Sequence, residues 1–161
     1  MRPTADIYDE SGESLQSCDT QFRVYGAHVS FEGIVTTVRC DDDNVILTNA
    51  VGESGGGRVL VVDGGGSLRT ALLGDVIAGV AASNGWEGIV LHGAVRDVDA
   101  LSRIPIGVRA LGSNPRKSRK EGAGERDVDV SFGGVTFTPG CRVFCDADGI
   151  LATYEPAGVA V

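Results

Sequence analysis

The sequence predicts an α/β fold in one domain spanning residues 1–161, with further strands layered on it. Three observations carry this expectation. Residues 74–97 read as a helix followed by a buried strand, which is part of a βαβ unit. Val59-Leu60-Val61-Val62 is a continuous apolar run, as in a strand covered on both faces. Residues 128–154 alternate between turn dipeptides in the manner of a β-meander. An α/β centre followed by such strands fits a β/β/α architecture.

Composition narrows the function classes. A chain of 161 residues is long enough for a single core, and its 24 glycines point to many tight turns. The formal charge of −8 argues against a nucleic-acid surface. No apolar run reaches the length of a membrane span, and residues 1–6 lack the apolar core of a signal peptide. A cytoplasmic chain without membrane or nucleic-acid partners is therefore expected. The cysteines, Cys18, Cys40, Cys141 and Cys145, form no C-x-x-C pair. Cys141 and Cys145 share a strand face, but His28 and His92 have no ligand-like spacing, so reduced, partly buried thiols are expected rather than a zinc site.

In chain order, a short helix is expected over residues 5–10, then a loop at Ser11-Gly12-Glu13-Ser14. Residues 22–25 and 29–39 alternate as strands, broken at Gly26 and Glu32-Gly33. Asp41-Asp42-Asp43-Asn44 lacks the later ligand positions of an EF-hand and reads as the cap of a helix over residues 44–51. A glycine-rich loop (residues 53–57) precedes the apolar strand at 58–63. Gly64-Gly65-Gly66-Ser67 fails the dinucleotide fingerprint, because Arg69 stands where the third glycine belongs and no long helix follows at once. It also lacks the Gly-Lys-Ser/Thr of a P-loop. Two readings stay open: a loop at the edge of a site, or simply a tight turn.

The central unit holds the chemistry. Val76, Ile77, Val80 and Ala81 fall at helical spacing, Asp75 suits the N-terminus, and Asn84-Gly85 supplies a stop. The strand at 88–91 is expected to end at Gly93. In βαβ units ligands gather where strands end and helices begin, which here means Gly74 and Arg96-Asp97. Free N–H groups at Gly74, Asp75, Val76 and Ile77 would form an anion site, and Gly74 would permit close approach. Arg96 offers a planar fork for a carboxylate, and Asp97 a hard oxygen for Mg²⁺ or Mn²⁺. The structural alternative makes Asp75 and Asp97 helix caps and Arg96 a surface ion-pair partner.

A short helix over 98–102 and a strand over 106–111 follow. The basic run Asn114-Pro115-Arg116-Lys117-Ser118-Arg119-Lys120 reads as a solvated loop, or as a source of positive potential near an anionic substrate. Gly122-Ala123-Gly124-Glu125 is a flexible stretch able to border a pocket. Strands are expected at 128–132, 135–138, 142–145 and 150–154, and residues 155–161 carry no structural signal.

Three motifs, Val61-Val62-Asp63-Gly64-Gly65-Gly66, Gly85-Trp86-Glu87-Gly88 and His92-Gly93-Ala94-Val95-Arg96-Asp97, resemble the regulator of ribonuclease activity A family. That family is similar to the class II 4-hydroxy-4-methyl-2-oxoglutarate aldolases, and the resemblance runs from about residue 19 to 150. It implies a three-layer β/β/α swivelling fold and a ring-shaped homotrimer. For lyase members it implies substrate binding by the backbone of Gly74, Asp75, Val76 and Ile77, a carboxylate held by Arg96, and a divalent metal (Mg or Mn) anchored by Asp97. The implied reaction cleaves 4-hydroxy-4-methyl-2-oxoglutarate to pyruvate and decarboxylates oxaloacetate, both through a pyruvate enolate. Arg96, and Asp75 through a held water, would be its catalytic residues. The alternative it implies is a non-catalytic regulator that binds a ribonuclease; an acidic surface suits a basic partner, but Asp97 serves only the lyase. A quinone methyltransferase label also attaches to the family, and this chain lacks a methyl-donor glycine loop. The longer aldolases carry a C-terminal extension that reaches a neighbouring subunit's site. Since this chain ends at Val161, decarboxylation is expected ahead of aldol cleavage.

Overall fold

A computed structural model describes residues 1–156, so most of the segment without structural signal (157–161) lies outside the described residues. Helix α1 (Thr4–Ser11) and a 3-10 turn (Gly12–Ser14) lead into β1 (Leu15–Ser17), β2 (Arg23–Val24) and β3 (Phe31–Arg39). Next come α2 (Val45–Val51), β4 (Val59–Asp63), β5 (Ala71–Leu73), α3 (Asp75–Ser83), β6 (Gly88–Val95), α4 (Val98–Leu101) and β7 (Gly107–Ser113). The last part is β8 (Glu125–Arg126), β9 (Val130–Phe132), β10 (Val135–Phe137), β11 (Arg142–Asp146) and β12 (Gly149–Thr153).

One long strand joins the layers. The first half of β3 pairs antiparallel with β11, and its second half pairs in parallel with β4. From there the sheet continues in parallel through β6 and β7, while β11 continues antiparallel to β12 and β1. The side chains of β4 alternate between two cores, as a strand buried on both faces requires. Leu60 and Val62 meet Leu47 and Val51 of α2 and Ala78 and Ala81 of α3. Val59 and Val61 meet Phe132, Phe137 and Val143 of the second β-layer. The architecture is thus the expected three-layer β/β/α arrangement.

Several local expectations change. β3 runs through Glu32-Gly33 without a break. A Cβ at Gly33 would come 2.5 Å from the Gly57 carbonyl oxygen, so this glycine marks a close crossing of two chain segments. β6 passes Gly93 and reaches Val95, absorbing a register shift between Leu91 and Ala94. The apolar face of α3 is also rotated from the one expected. Ala78 and Ala81 are buried, whereas Val76 is 74% and Val80 41% exposed. All four cysteines are free, and they are buried outright rather than partly. Burial, with the carboxylates of Asp43, Asp63, Asp41 and Asp42 nearby, pushes the Cys40 thiol up to about 12.

Candidate functional site

The short strand β5 assembles the site. It pairs in parallel with the end of β6, Ala71 opposite Ala94 and Leu73 opposite Val95. Both strands therefore end together, which sets Gly74 beside Arg96 and Asp97. The Arg96 N–H donates to the Leu73 carbonyl at 2.9 Å and extends the pairing by one step.

Asp97 precedes α4 in a left-handed conformation (φ 58°, ψ 43°), and its side chain makes no capping bond to that helix. Asp tolerates this region better than most residues. Its carboxylate instead turns back over β5. Oδ2 accepts from the Asp75 N–H at 3.4 Å and lies 4.0 Å from Arg96 Nε. A Cβ at Gly74 would stand 2.6 Å from that oxygen, so the absent side chain is the space the carboxylate uses.

Residues 75–77 form the first turn of α3, where N–H groups have no intrahelical acceptor. The expected donors are not all free. The Asp75 N–H meets Asp97, and the Val76 N–H donates to the Asp75 carboxylate at 2.8 Å. Carboxylate oxygens therefore stand where a bound anion would accept. The cap reading of Asp75 is right in part; the Asp97 side chain does not cap α4, the helix that follows it, but takes the first N–H of α3.

A cavity of about 220 Å³ gathers Gly74, Asp75, Val76, Ile77, Arg96 and Asp97, so every site residue expected from the sequence faces one space. Four further polar residues line it, Asn44, Lys117, Ser118 and Lys120, together with Ala71 and Leu73 of β5. The basic side chains of the run are exposed, yet it is not a loose loop, and Ser118 within it is buried. Ala71 N–H donates to the Arg116 carbonyl at 2.8 Å, and Arg119 N–H to the Asp42 carbonyl at 2.7 Å. Lys120 Nζ donates to Asn44 Oδ1 at 3.2 Å, and Asn44 Nδ2 to the Leu72 carbonyl at 3.2 Å. The second of the two sequence readings, positive potential beside the site, describes where these side chains lie. A signal was present: Lys117 and Lys120 are the only lysines in the sequence, and both line this cavity.

The cavity thus faces three cations, Arg96, Lys117 and Lys120, toward two carboxylates, Asp75 and Asp97. Such a set can hold a small dianion together with a hard cation. Among the described residues no group of three or more His, Cys, Asp or Glu is arranged to hold a metal. Asp97 alone would have to anchor one, leaving its other positions to water and ligand oxygens. Mg²⁺ accepts that arrangement readily.

The glycine-rich turn after β4 lies elsewhere. Gly65 N–H donates to Asp63 Oδ1 at 2.9 Å, and Ser67 N–H to the Gly64 carbonyl at 3.2 Å, closing a tight turn. Gly65 lines a neighbouring cavity with Asp63, Ala123, Gly124 and Glu125. Of the stretch 122–125, Ala123, Gly124 and Glu125 therefore border that space rather than the first.

Comparison with known proteins finds relatives over nearly the whole chain. A family model described as RraA-like (Aldolase/RraA) matches residues 4–152. The chain is similar to a structure described as S-adenosylmethionine:2-dimethylmenaquinone methyltransferase from Geobacillus kaustophilus HTA426. The two share 44% identity over 97% of each chain, with a TM-score of 0.94. It is equally similar to the RNA-processing inhibitor RraA from Thermus thermophilus, at 44% identity over 99% of this chain and 98% of that one, TM-score 0.93. A more distant likeness is RraAS2 from Streptomyces coelicolor, described as an unusual member of the RNase ES inhibitor RraA family. It shows 25% identity over 95% of this chain and 77% of that one, TM-score 0.73.

Proposed function

The chain belongs to the RraA-like (Aldolase/RraA) family, and from that premise we propose that it is a divalent-metal-dependent carbon–carbon lyase acting on small 2-oxo acids. Its reactions are decarboxylation of oxaloacetate and cleavage of 4-hydroxy-4-methyl-2-oxoglutarate to pyruvate. One observation carries the reading: the Arg96 fork, the Asp97 carboxylate and the two lysines share one small cavity.

Asp97 suits a metal such as Mg²⁺ or Mn²⁺, because its carboxylate is partly exposed to the cavity and has no capping duty in α4. When bound, the cation supplies electrostatic stabilisation for charge developing on the 2-oxo oxygen. Arg96 donates paired hydrogen bonds to the adjacent carboxylate and sets the plane of the substrate. Lys117 and Lys120 offer cations to the far carboxylate that both substrates carry. In each reaction the C3–C4 bond breaks and its electron pair moves toward the 2-oxo oxygen. In the aldol cleavage the C4 hydroxyl gives its proton to the water held by Asp75 as a second pyruvate leaves, and in the decarboxylation carbon dioxide leaves; C3 then takes a proton from that water.

The test is pyruvate release from oxaloacetate with Mg²⁺ or Mn²⁺, before and after chelation. Chelator-sensitive release well above the rate of the metal in buffer is expected, and release equal to that background would overturn the reading.

A ribonuclease-binding regulator is the second reading, favoured by the description of the Thermus relative and by the charge of −8. The lyase is preferred because a regulator has no use for Asp97 turned into a cation-lined cavity. Methyl transfer is disfavoured by the closed Gly64–Ser67 turn, whose Ser67 hydroxyl is committed to Asp42 at 2.7 Å.

The protein is further proposed to form a homotrimer with the site at a subunit boundary. Val76, Val80 and Val98 expose apolar surface on α3 and α4 beside the site, and Arg96 and Asp97 are almost half exposed in the single chain. Sedimentation at micromolar concentration should give a trimer; a monomer would refute the assembly. No helix among the described residues is long and apolar enough to cross a membrane.

A further inference from the structure

The acidic run before α2 does more than begin a helix. Asp43 is fully buried. Its carboxylate accepts from the Val45 N–H at 3.1 Å and from three consecutive N–H groups, Glu121 at 2.8 Å, Gly122 at 3.0 Å and Ala123 at 3.3 Å. Asp42 grips the other neighbour. Its carboxylate accepts from Ser67 Oγ at 2.7 Å and Thr70 Oγ1 at 2.8 Å, while its carbonyl accepts from the Arg119 N–H at 2.7 Å.

These bonds bracket Lys120. The residue before it is tied to Asp42, the residue after it to Asp43, and its ammonium to Asn44. A buried carboxylate must be satisfied by donors, and here they are backbone N–H groups, the first of α2 and three of one loop. Burial pushes the Asp43 carboxyl up, but the bonds from Val45, Glu121, Ala123 and Gly122 outweigh it and hold it below the ordinary range. The acceptor is therefore a charged one at neutral pH, and its grip is strong.

We propose that Asp43 is a positioning residue of the candidate site: it fixes the backbone at residues 121–123 so that Lys120, braced on Asn44, presents its cation to the cavity. This rests on the reading of the cavity as a site for anionic substrate. Without the clasp, Lys120 samples many positions, and the far carboxylate of a substrate loses a preorganised partner.

Two variants and one control test it. Asp43→Asn keeps the shape and removes the charge. Asp43→Ser keeps the short bond to the Val45 N–H but cannot reach residues 121–123, so it preserves the start of α2 if the Asn variant fails to fold. Hydrogen exchange at Glu121, Gly122 and Ala123 should quicken by about tenfold or more, with β4 and β6 unchanged. KM for oxaloacetate should rise by about tenfold while kcat stays within about threefold. Lys120→Ala should raise KM similarly, and the double variant should be no worse than Lys120→Ala alone, because one residue acts through the other.

Unchanged exchange at residues 121–123 would overturn the clasp. Faster exchange with unchanged KM, or additive effects in the double variant, would reduce Asp43 to a structural residue and overturn the positioning role. If the parent protein shows no turnover, the lyase reading fails by itself. Binding of 2-oxoglutarate, a stable 2-oxo acid with a far carboxylate, in Mg²⁺ buffer then replaces KM as the readout, with the same tenfold loss expected about the same lysine. A parent that binds no 2-oxoglutarate would overturn the positioning role, and the exchange comparison would still decide the clasp.

Discussion

Asp97→Asn should remove metal-dependent pyruvate release almost entirely and leave the protein folded. The substitution keeps the size of the side chain and one carbonyl oxygen but deletes the charge that would anchor a hard cation. Loss of the main electrostatic stabiliser of a developing oxyanion typically costs about a hundredfold or more in kcat. Little stability is at stake. The Asp97 side chain makes no capping bond to α4, its 3.4 Å contact with the Asp75 N–H is one an Asn carbonyl oxygen can keep, and its φ of 58° suits Asn at least as well as Asp. The melting temperature should therefore barely move, as for surface changes within about 0.5 kcal/mol. Three readings separate on one pair of proteins. A lyase loses Mn²⁺ affinity and activity together, a regulator has no metal-dependent activity to lose and keeps ribonuclease binding, and a structural cap changes neither function. Unaltered Mn²⁺ affinity in the Asn variant would sink the metal assignment.

Arg96→Lys should cripple turnover although the charge is kept. A guanidinium presents parallel donors to both oxygens of a carboxylate, whereas an ammonium is a point donor. Losing one such bond in a partly desolvated site costs about 1.5–3 kcal/mol, which lowers kcat/KM roughly ten- to a hundredfold. Lys117 and Lys120 already supply point charges to the same cavity, so a third cannot restore the fork geometry. Stability should change little. Arg96 approaches Asp97 only at 4.0 Å and the Pro115 carbonyl at 3.4 Å, and both contacts are exposed and weak. Turnover within twofold of the parent would show that Arg96 does not clamp the carboxylate.

The parts of this molecule that could be read in advance are those written in local pattern. The apolar run of β4 requires a strand covered on both sides, and it lies between helices and a second β-layer. Gly74-Asp75 before an apolar helical stretch, and Arg96-Asp97 after an apolar strand, are local signals for chain ends where ligands gather. The orientation of α3 was not legible, because its sequence is apolar on several sides. Only packing against β4 and β6 selects Ala78 and Ala81 for the core and leaves Val76 and Val80 outside.

Convergence is a different matter. Gly74 meets Asp97 because β5, three residues long, pairs with β6, and so short a strand carries no periodic signature. Lys120 meets the site because Asn44, 76 residues earlier, accepts its ammonium, and because the buried Asp43 takes the N–H groups of the loop that follows it. Propensity and hydrophobic period act over a few neighbouring residues and determine which segments form helices and strands. A cavity depends on which distant backbone donors and acceptors satisfy one another once water is excluded, and that is settled only when the whole chain has folded.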